Sequence, residues 1–485
     1  MKDNRTSVKR SLFVSAIALT LTAALLIGST FAWFTSTATT SVSDVTAGTL
    51  KVEIVNSDGS ELENNTVKFV DKDGSSNILW EPGVTFTTKE FKIKNAGNLA
   101  LKYKFQLGMN VTDANKALYN AITFYIAYKD ANGTEQRVDV SQYEGHLAGN
   151  ANSDAFYLIG EMNPAATEGQ GQTLSDLAIA VVATQDTVEN DSNGNTYDKD
   201  AEYPISVTTG DELQAVVSNA KAPVNIVLAN NITTNNFVIP ADKDVTLDLN
   251  GRTVKNAESH TILNKGHLTL TDSSADKSGQ IISCKADTAA LRNGDNAVCV
   301  VESGTISRDG ANGNTWHTVE NFGTMTFNGG KVIADDGKSF AIVNGWNYID
   351  PGEQKATMTI NNIEMKAGPN GFKNCAGGTL TMNDGTLHCT GYWGLSNDST
   401  GVATINGGKI ISDKYIAISD GGAKMEINGG TFTGPQGSLY VQDYAQDTVV
   451  KGGSYQNETV DFMQRCCPKG YTAKLQGGMV VVSKD

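Results

Sequence analysis

The sequence predicts an all-β protein, with β-strands in its N-terminal part and a right-handed parallel β-helix in its C-terminal part. The main observation is a repeat in which a shared asparagine recurs every 22 or 23 residues, with one longer interval of 33. A second asparagine column runs beside the first. Because one unit of this size cannot bury its own apolar face, the repeat indicates stacked coils. The first column is Asn328, Asn361, Asn383, Asn406 and Asn428, and the second is Asn264, Asn293, Asn321, Asn344, Asn374 and Asn397.

Alternation around these columns indicates three short strands in each coil. The residues two places before the second column are all apolar, whereas those one place before it are mixed, which is typical of a strand with one buried face. Each strand then pairs with its copy one coil further on, so equivalent asparagines stack at the strand spacing of ~4.8 Å. The right hand follows from the rule for parallel β connections. The inward residues before the second column are Ile262, Leu291, Val319, Ile342, Phe372 and Leu395.

Composition excludes some classes of function. The chain has 485 residues and a net charge of −15, so it lacks the basic footprint that a nucleic-acid partner requires. Five histidines leave little material for imidazole metal sites. No cofactor is predicted.

The N-terminus has the pattern of an export signal. Basic residues precede an apolar run from Leu12 to Ile27, and the small residues Thr30 and Ala32 follow. We therefore predict that residues 1–32 are a signal peptide cleaved between Ala32 and Trp33, giving a secreted or surface protein without further membrane contact. The alternative is an uncleaved anchor, since Leu12–Phe34 is long enough to span a bilayer.

Three blocks in the first two hundred residues resemble the TasA/camelysin family of exported proteins. They are Gly28–Ile54 with its AGTL strand, Trp80–Gly83 followed by Lys89–Leu107, and Leu177–Gln185 with its ATQ ending. The resemblance covers about residues 10–200 and implies a jelly-roll-type sandwich over residues 33–190. Some family members polymerise into matrix fibres, which implies self-association through Trp33–Leu50 as a donated strand. A flexible leader or an ordinary first strand is the alternative for that segment.

The residues themselves also indicate β structure in this part. Phe91 and Ile93 alternate with lysines, and after a turn over Asn95–Asn98 the residues Leu101, Tyr103 and Phe105 do the same. The metallopeptidase activity attributed to the family is not carried over, because the sequence has no HExxH motif.

An acidic linker is predicted at residues 191–204. Within it, Asp191, Asn193, Asn195 and Glu202 have the spacing of an EF-hand-like calcium loop. Thr196 stands where that loop requires glycine, so a polar surface loop is the favoured interpretation.

The β-helix is predicted to span residues 205–485 with a cap at each end. Thr209 and Glu212 have capping-box spacing before a short amphipathic helix, and a hairpin turns near Gly477 and Gly478. At the level of architecture this part resembles the pectate-lyase-like superfamily, which implies polysaccharide cleavage as an alternative function.

The candidates for that chemistry are Asp335 and Asp336 with Lys338, and Arg308 with Asp309. A catalytic cluster requires carboxylates from adjacent coils at one register, whereas the outward columns hold Thr, Asn, Lys and Ser. We therefore predict solvated turns and no catalytic residue.

Aromatic residues are the candidates for ligand contact. Those that precede the second asparagine column by about four residues are predicted by parity to point inward. Trp346 and Tyr348 lie in an insert and are the predicted surface contacts for a polysaccharide. The inward-pointing set is His260, His317, Phe340, Trp393 and Tyr415, and Trp316 and Tyr392 precede two of its members.

All six cysteines fall in the β-helix, at Cys284, Cys299, Cys375, Cys389, Cys466 and Cys467. No CxxC is present, Cys299 is predicted to face outward, and export permits disulfides whose pairing stays open. The sequence as a whole predicts an exported structural or adhesive protein of a bacterial surface or biofilm-like matrix, with a polysaccharide-active or carbohydrate-binding protein as the alternative.

Overall fold

The computed structural model describes residues 50–63, 67–75, 78–109, 111, 113–130, 132–174, 177–186, 203–235, 237–256, 258–309, 316–334, 339–346 and 351–485. The chain is all-β, with 7% helix, and consists of a curled antiparallel sheet followed by a parallel β-helix of about ten turns. Among these residues, no helix has the length and apolarity needed to cross a bilayer. Several predicted features lie outside the described residues: the cleavage site at Ala32 and Trp33, the calcium candidates Asp191, Asn193, Asn195 and Glu202, the cluster of Asp335, Asp336 and Lys338, and Tyr348.

The N-terminal part packs two antiparallel sheets around an aromatic core. The predicted alternation is confirmed, since Phe91, Ile93 and Phe105 are fully buried. The ring of Phe105 lies 5.1 Å from that of Phe156 and 5.4 Å from that of Tyr143, measured between centroids. The seven-stranded sheet contains Val52–Asn56, Phe69–Val70, Thr85–Thr88, Phe91–Asn95, Ile122–Lys129, Glu135–Asp139 and Phe156–Met162. The three-stranded sheet contains Leu101–Gly108, Glu144–Leu147 and Ala178–Gln185, and a short helix spans Lys116–Ala121.

The C-terminal part winds through three sheets in turn, with one strand of each sheet in a typical coil. The first sheet contains Ile205–Val207, Val224–Leu228, Asp244–Asp248, His267–Thr271, Val298–Val301, Thr324–Phe327, Ala356–Ile360, Gly378–Met382, Val402–Ile405, Lys424–Ile427 and Thr448–Val450. The second contains Ile232–Thr234, Thr253–Asn256, Gln280–Ser283, Thr305–Arg308, Lys331–Ala334, Glu364–Ala367, Thr386–Cys389, Lys409–Ser412, Thr431–Thr433, Gly453–Gln456, Tyr471–Gln476 and Met479–Lys484. The third contains Val238–Ile239, Ile262–Asn264, Leu291–Asn293, Val319–Asn321, Phe340–Asn344, Asn370–Asn374, Leu395–Asp398, Ile418–Gly421 and Leu439–Val441.

The predicted inward columns form one continuous apolar core, and this core also contains Cys299. The parallel register aligns Cys299 with Leu268 on one side and Met325 on the other, both of which point inward. The prediction that Cys299 faces outward is therefore wrong, because Cys299 and Val301 are the two inward residues of the strand Val298–Val301. Burial raises the pKa of the Cys299 thiol to about 12. All six cysteines are free thiols in the structure.

The second asparagine column forms a buried hydrogen-bonded ladder, which we call the inner ladder. Each side-chain amide donates one N–H to the next amide oxygen at 2.7–2.8 Å and the other to a backbone carbonyl of the first sheet. The last amide, Asn397, donates to Asp420 at 2.9 Å. A carboxylate only accepts, so the ladder ends without an unused donor. Asp420 also accepts from Thr448 at 2.6 Å.

The first column forms a second ladder on the surface, which we call the outer ladder. Its amides donate in the opposite sense, toward earlier coils, at 2.8–2.9 Å. This ladder also ends on a carboxylate, because Asn328 donates to Glu302 at 2.8 Å. The two ladders therefore run antiparallel along one rod.

Both ends of the β-helix are covered. The predicted capping helix spans Gly210–Asn219, and the Thr209 hydroxyl accepts from the Glu212 backbone N–H at 3.1 Å. Leu213 and Val217 from this helix complete the core. At the other end the predicted hairpin pairs with Gly453–Gln456, and a helix over Val460–Cys466, which the sequence pattern does not predict, packs beside it.

Candidate ligand-binding face

The outer face of the third sheet carries charged residues that are nonetheless buried. These residues come directly before each inner-ladder asparagine, so their side chains point away from the core. Glu320 is 2% exposed and Lys373 is 5% exposed. Burial on an outward face means that the flanking turns fold over the sheet. We call this surface the third-sheet face; its floor consists of Leu263, Arg292, Glu320, Val343, Lys373, Ser396, Ser419 and Tyr440.

One ion pair on this face is held between aromatic rings. The Arg292 guanidinium lies 2.8 Å from the Glu320 carboxylate, which also accepts from the Trp316 indole N–H at 2.7 Å. The guanidinium lies 4.7 Å from the centre of the Phe322 ring. Burial raises the pKa of Glu320, and the lowering effects of Arg292 and Trp316 only partly offset this.

A second ion pair lies further along the same floor. The Lys373 ammonium is 3.2 Å from the Asp398 carboxylate and 5.3 Å from the centre of the Phe340 ring. Each cation of the floor is thus matched by a carboxylate from the following coil. The floor therefore combines apolar and hydrogen-bonding groups with little net charge.

Exposed aromatic residues concentrate around this floor. Among the described residues, the exposed large aromatic side chains are Trp316, Tyr392, Tyr440 and Tyr444, at 37%, 55%, 48% and 59%. All four belong to strands of the third sheet or to the turns beside them. Tyr392 also packs with two half-buried neighbours, its ring centroid lying 6.1 Å from Trp393 and 5.8 Å from Tyr415. This side of the rod is therefore an aromatic surface.

The corner that precedes the third sheet departs from simple alternation. The residues three places before the inner ladder are small and buried. The apolar residues two places before it are also buried. Two consecutive side chains therefore point inward at this corner. The prediction that the aromatic column points inward is therefore wrong: His317 is buried at the corner, while Phe340, Trp393 and Tyr415 are half-buried outside the core. The small-residue column is Thr261, Ala290, Thr318, Ala341, Gly371, Gly394, Ala417 and Ser438.

Because two consecutive side chains point inward at this corner, the residues five places before the inner ladder lie outside the core. Trp316, Tyr392 and Tyr415 each lie five residues before the ladder position of their coil, so they occupy equivalent places along one corner. The sequence signal that could have identified them is the small-residue column two places later. We call these three residues the corner ridge.

Two further predictions, that Trp346 and Arg308 are exposed to solvent, are wrong because both side chains are buried. Trp346 was expected on the surface but is 9% exposed, because its ring packs 5.4 Å from Phe322 and its backbone N–H donates to Ala376 at 2.9 Å. Arg308 was expected in a solvated turn but is 6% exposed, because its guanidinium donates to the carbonyls of Trp316 and Ala334. Both residues hold neighbouring coils together.

Among the described residues, no group of three or more His, Cys, Asp or Glu side chains is arranged to hold a metal ion. The chain matches no protein-family model, no curated protein and no solved structure.

Proposed function

We propose that the protein is an exported structural and adhesive component of a bacterial cell surface or extracellular matrix. The observation that carries this proposal is a stiff rod closed at both ends. Its core is continuous over about ten turns, and two hydrogen-bonded ladders run along it. Such a rod acts as a spacer that holds its surface away from its attachment point.

Assembly is assigned to the N-terminal part. The capping helix and the terminal hairpin cover the sheet edges at the two ends of the rod, so end-to-end stacking of rods is disfavoured. The resemblance of residues 10–200 to the TasA/camelysin family supports a role for Trp33–Leu50 as the strand donated to a neighbouring subunit. Leu50 packs against the sandwich core just before the edge strand Val52–Asn56. Head-to-tail donation does not close on itself and gives an open filament.

Electron microscopy of the mature protein tests this proposal. We expect filaments from the parent protein and none after Val42→Pro with Val45→Pro, because proline removes two backbone donors from the connecting strand. The matched control is Val42→Thr with Val45→Thr, which keeps β-branched residues and backbone donors. A monomeric parent at every concentration, or filaments from the proline variant, would rule out assembly by strand donation.

A further inference from the structure

We propose that the corner ridge, at the edge of the third-sheet face, is a binding site for a neutral, hydroxyl-rich polysaccharide. This inference does not depend on export or on filament formation. It rests on the corner ridge, on the paired charges of the floor and on the fixed positions of the aromatic rings.

The corner ridge provides stacking surfaces along the rod. Trp316 and Tyr392 occupy equivalent positions three coils apart, which corresponds to ~14 Å at the usual strand spacing. The C–H groups on one face of a hexose form a flat apolar patch that stacks on an aromatic ring, and the hydroxyls at its rim then face polar groups. The ridge therefore matches an extended chain several sugars long, lying parallel to the rod axis.

Polar partners for the hydroxyls lie where the second-sheet strand Thr386–Cys389 leads into this corner. The imidazole Nε2 of His388 is 2.9 Å from the Asp413 carboxylate, and this pair is solvent-accessible. The Asp413 backbone N–H donates to the Cys389 carbonyl at 2.9 Å, and the turn that carries Tyr392 begins directly after Cys389. A hydrogen-bonding pair beside an aromatic ridge is the combination that an uncharged sugar requires.

Charge pairing selects against acidic sugars. The cations of the floor, Arg292 and Lys373, are each bound to a carboxylate, and His388 is paired with Asp413. A uronic acid would have to displace one of these carboxylates to gain Arg292, Lys373 or His388, and it would approach a chain whose net charge is already −15. Neutral glycans meet no such penalty.

The rings are also fixed before any ligand arrives. Tyr444 lies directly on Gly421, where an added Cβ would come within 2.5 Å of the ring. Tyr392, Trp393 and Tyr415 pack against one another at centroid distances of 5.8–6.1 Å. A surface that is already ordered loses little conformational entropy on binding.

Affinity electrophoresis in gels containing single polymers tests the proposal. The panel contains β-1,4-glucan, β-1,3-glucan, mannan and, as the acidic polymer, polygalacturonate. We expect retardation of the full chain by at least one neutral polymer and none by polygalacturonate. Trp316→Ala with Tyr392→Ala should weaken the retained interaction roughly tenfold or more, because two stacking surfaces are removed.

Three comparisons keep the result interpretable. Trp316→Phe with Tyr392→Phe keeps both rings and should retain most of the binding. Leu79→Ala with Leu475→Ala removes exposed apolar side chains elsewhere and should change nothing. Circular dichroism and the thermal midpoint establish that each variant is folded.

The proposal is overturned by any of three results: no neutral polymer in the panel retards the protein, the double alanine variant binds as well as the parent, or polygalacturonate binds equally well. Filament formation, measured separately, distinguishes failure of this site from failure of the structural role.

Discussion

At the scale of single residues, the two asparagine ladders differ in burial although their hydrogen bonds have the same length. Asn344 is fully buried, accepts from Asn321 and donates to Asn374 and to the Thr379 carbonyl. Asn361 makes the equivalent ladder bonds in solvent. Water can replace a lost hydrogen bond at Asn361, whereas it cannot reach Asn344.

We therefore predict that Asn344→Ala lowers the free energy of unfolding by on the order of 3 kcal/mol, while Asn361→Ala lowers it by less than about 1 kcal/mol. Thermal midpoints, and hydrogen-exchange protection of the strands Ala356–Ile360 and Gly378–Met382, measure the difference. Equal effects at the two positions would show that burial does not decide the value of a ladder bond.

A second prediction at this scale concerns His317. Burial, with a smaller contribution from nearby Arg308, lowers its pKa to about 4 from an ordinary value of 6.5. The unfolded chain therefore binds the proton more tightly, so stability is complete above pH 6.5 and is lost as the pH falls through 4. The loss amounts to about 3 kcal/mol at most.

His317→Gln should flatten the decline of the thermal midpoint between pH 6.5 and 4. Glu320 acts in the opposite direction, because its raised pKa makes protonation stabilising in the folded state. The control is His388→Gln, which changes a half-exposed histidine. If His317→Gln leaves the pH profile of the parent unchanged, this histidine is not the group responsible.

At the scale of elements, side chains replace missing strands at the ends of the rod. The Gln214 amide accepts from the Val238 backbone N–H at 2.8 Å and donates to its carbonyl at 3.0 Å, as a preceding strand would. At the C-terminal end of the rod, the Glu458 carboxylate likewise accepts hydrogen bonds from the backbone N–H groups of Ser438 and Leu439.

Gln214→Ala should leave both Val238 groups without their partner and lower stability by about 1–3 kcal/mol. Ser218→Ala removes the other contact of this amide and leaves Val238 paired, so it should have little effect. Hydrogen exchange at the first coil compares the two variants. Comparable loss of protection in both would contradict the assigned role of Gln214.

The same scale shows what could be predicted from sequence. Stacked coils follow from alternation at a fixed period, and the inward columns are where that period places them. The corner before the third sheet could not be predicted in this way, because Ala341 and Ile342 both point inward. Residues before this pair that alternation assigns to the core therefore point outward. Trp346 was misplaced for a different reason: its burial depends on Phe322 and Ala376, which belong to other coils.

At the scale of the whole molecule, the two parts have separate apolar cores and contact each other near their junction. Tyr203 donates to Glu144 at 3.0 Å and lies under Lys104 at 4.8 Å. Gly108 approaches Thr208 so closely that an added Cβ would lie 2.2 Å from its side chain.

Because each coil depends mainly on its neighbours, we predict that residues 205–485 fold alone. The fragment should show a β-type circular dichroism spectrum and a cooperative thermal transition. The matched fragment 224–485 lacks the capping helix Gly210–Asn219 and should aggregate through its open edge. An unfolded 205–485 fragment would mean that the sandwich is required for folding.

The closing carboxylates of the two ladders also determine where the rod can change length during evolution. A duplicated coil that carries both asparagines extends each ladder without leaving an amide unpaired. Such a duplication is possible only between Glu302 and Asp420. A copy placed before Glu302 would carry an outer-ladder asparagine beyond the carboxylate that ends the outer ladder, and a copy placed after Asp420 would do the same for the inner ladder. Relatives of this protein should therefore differ by whole coils inserted in this interval, and the distance that the rod spans can be altered by copying its middle.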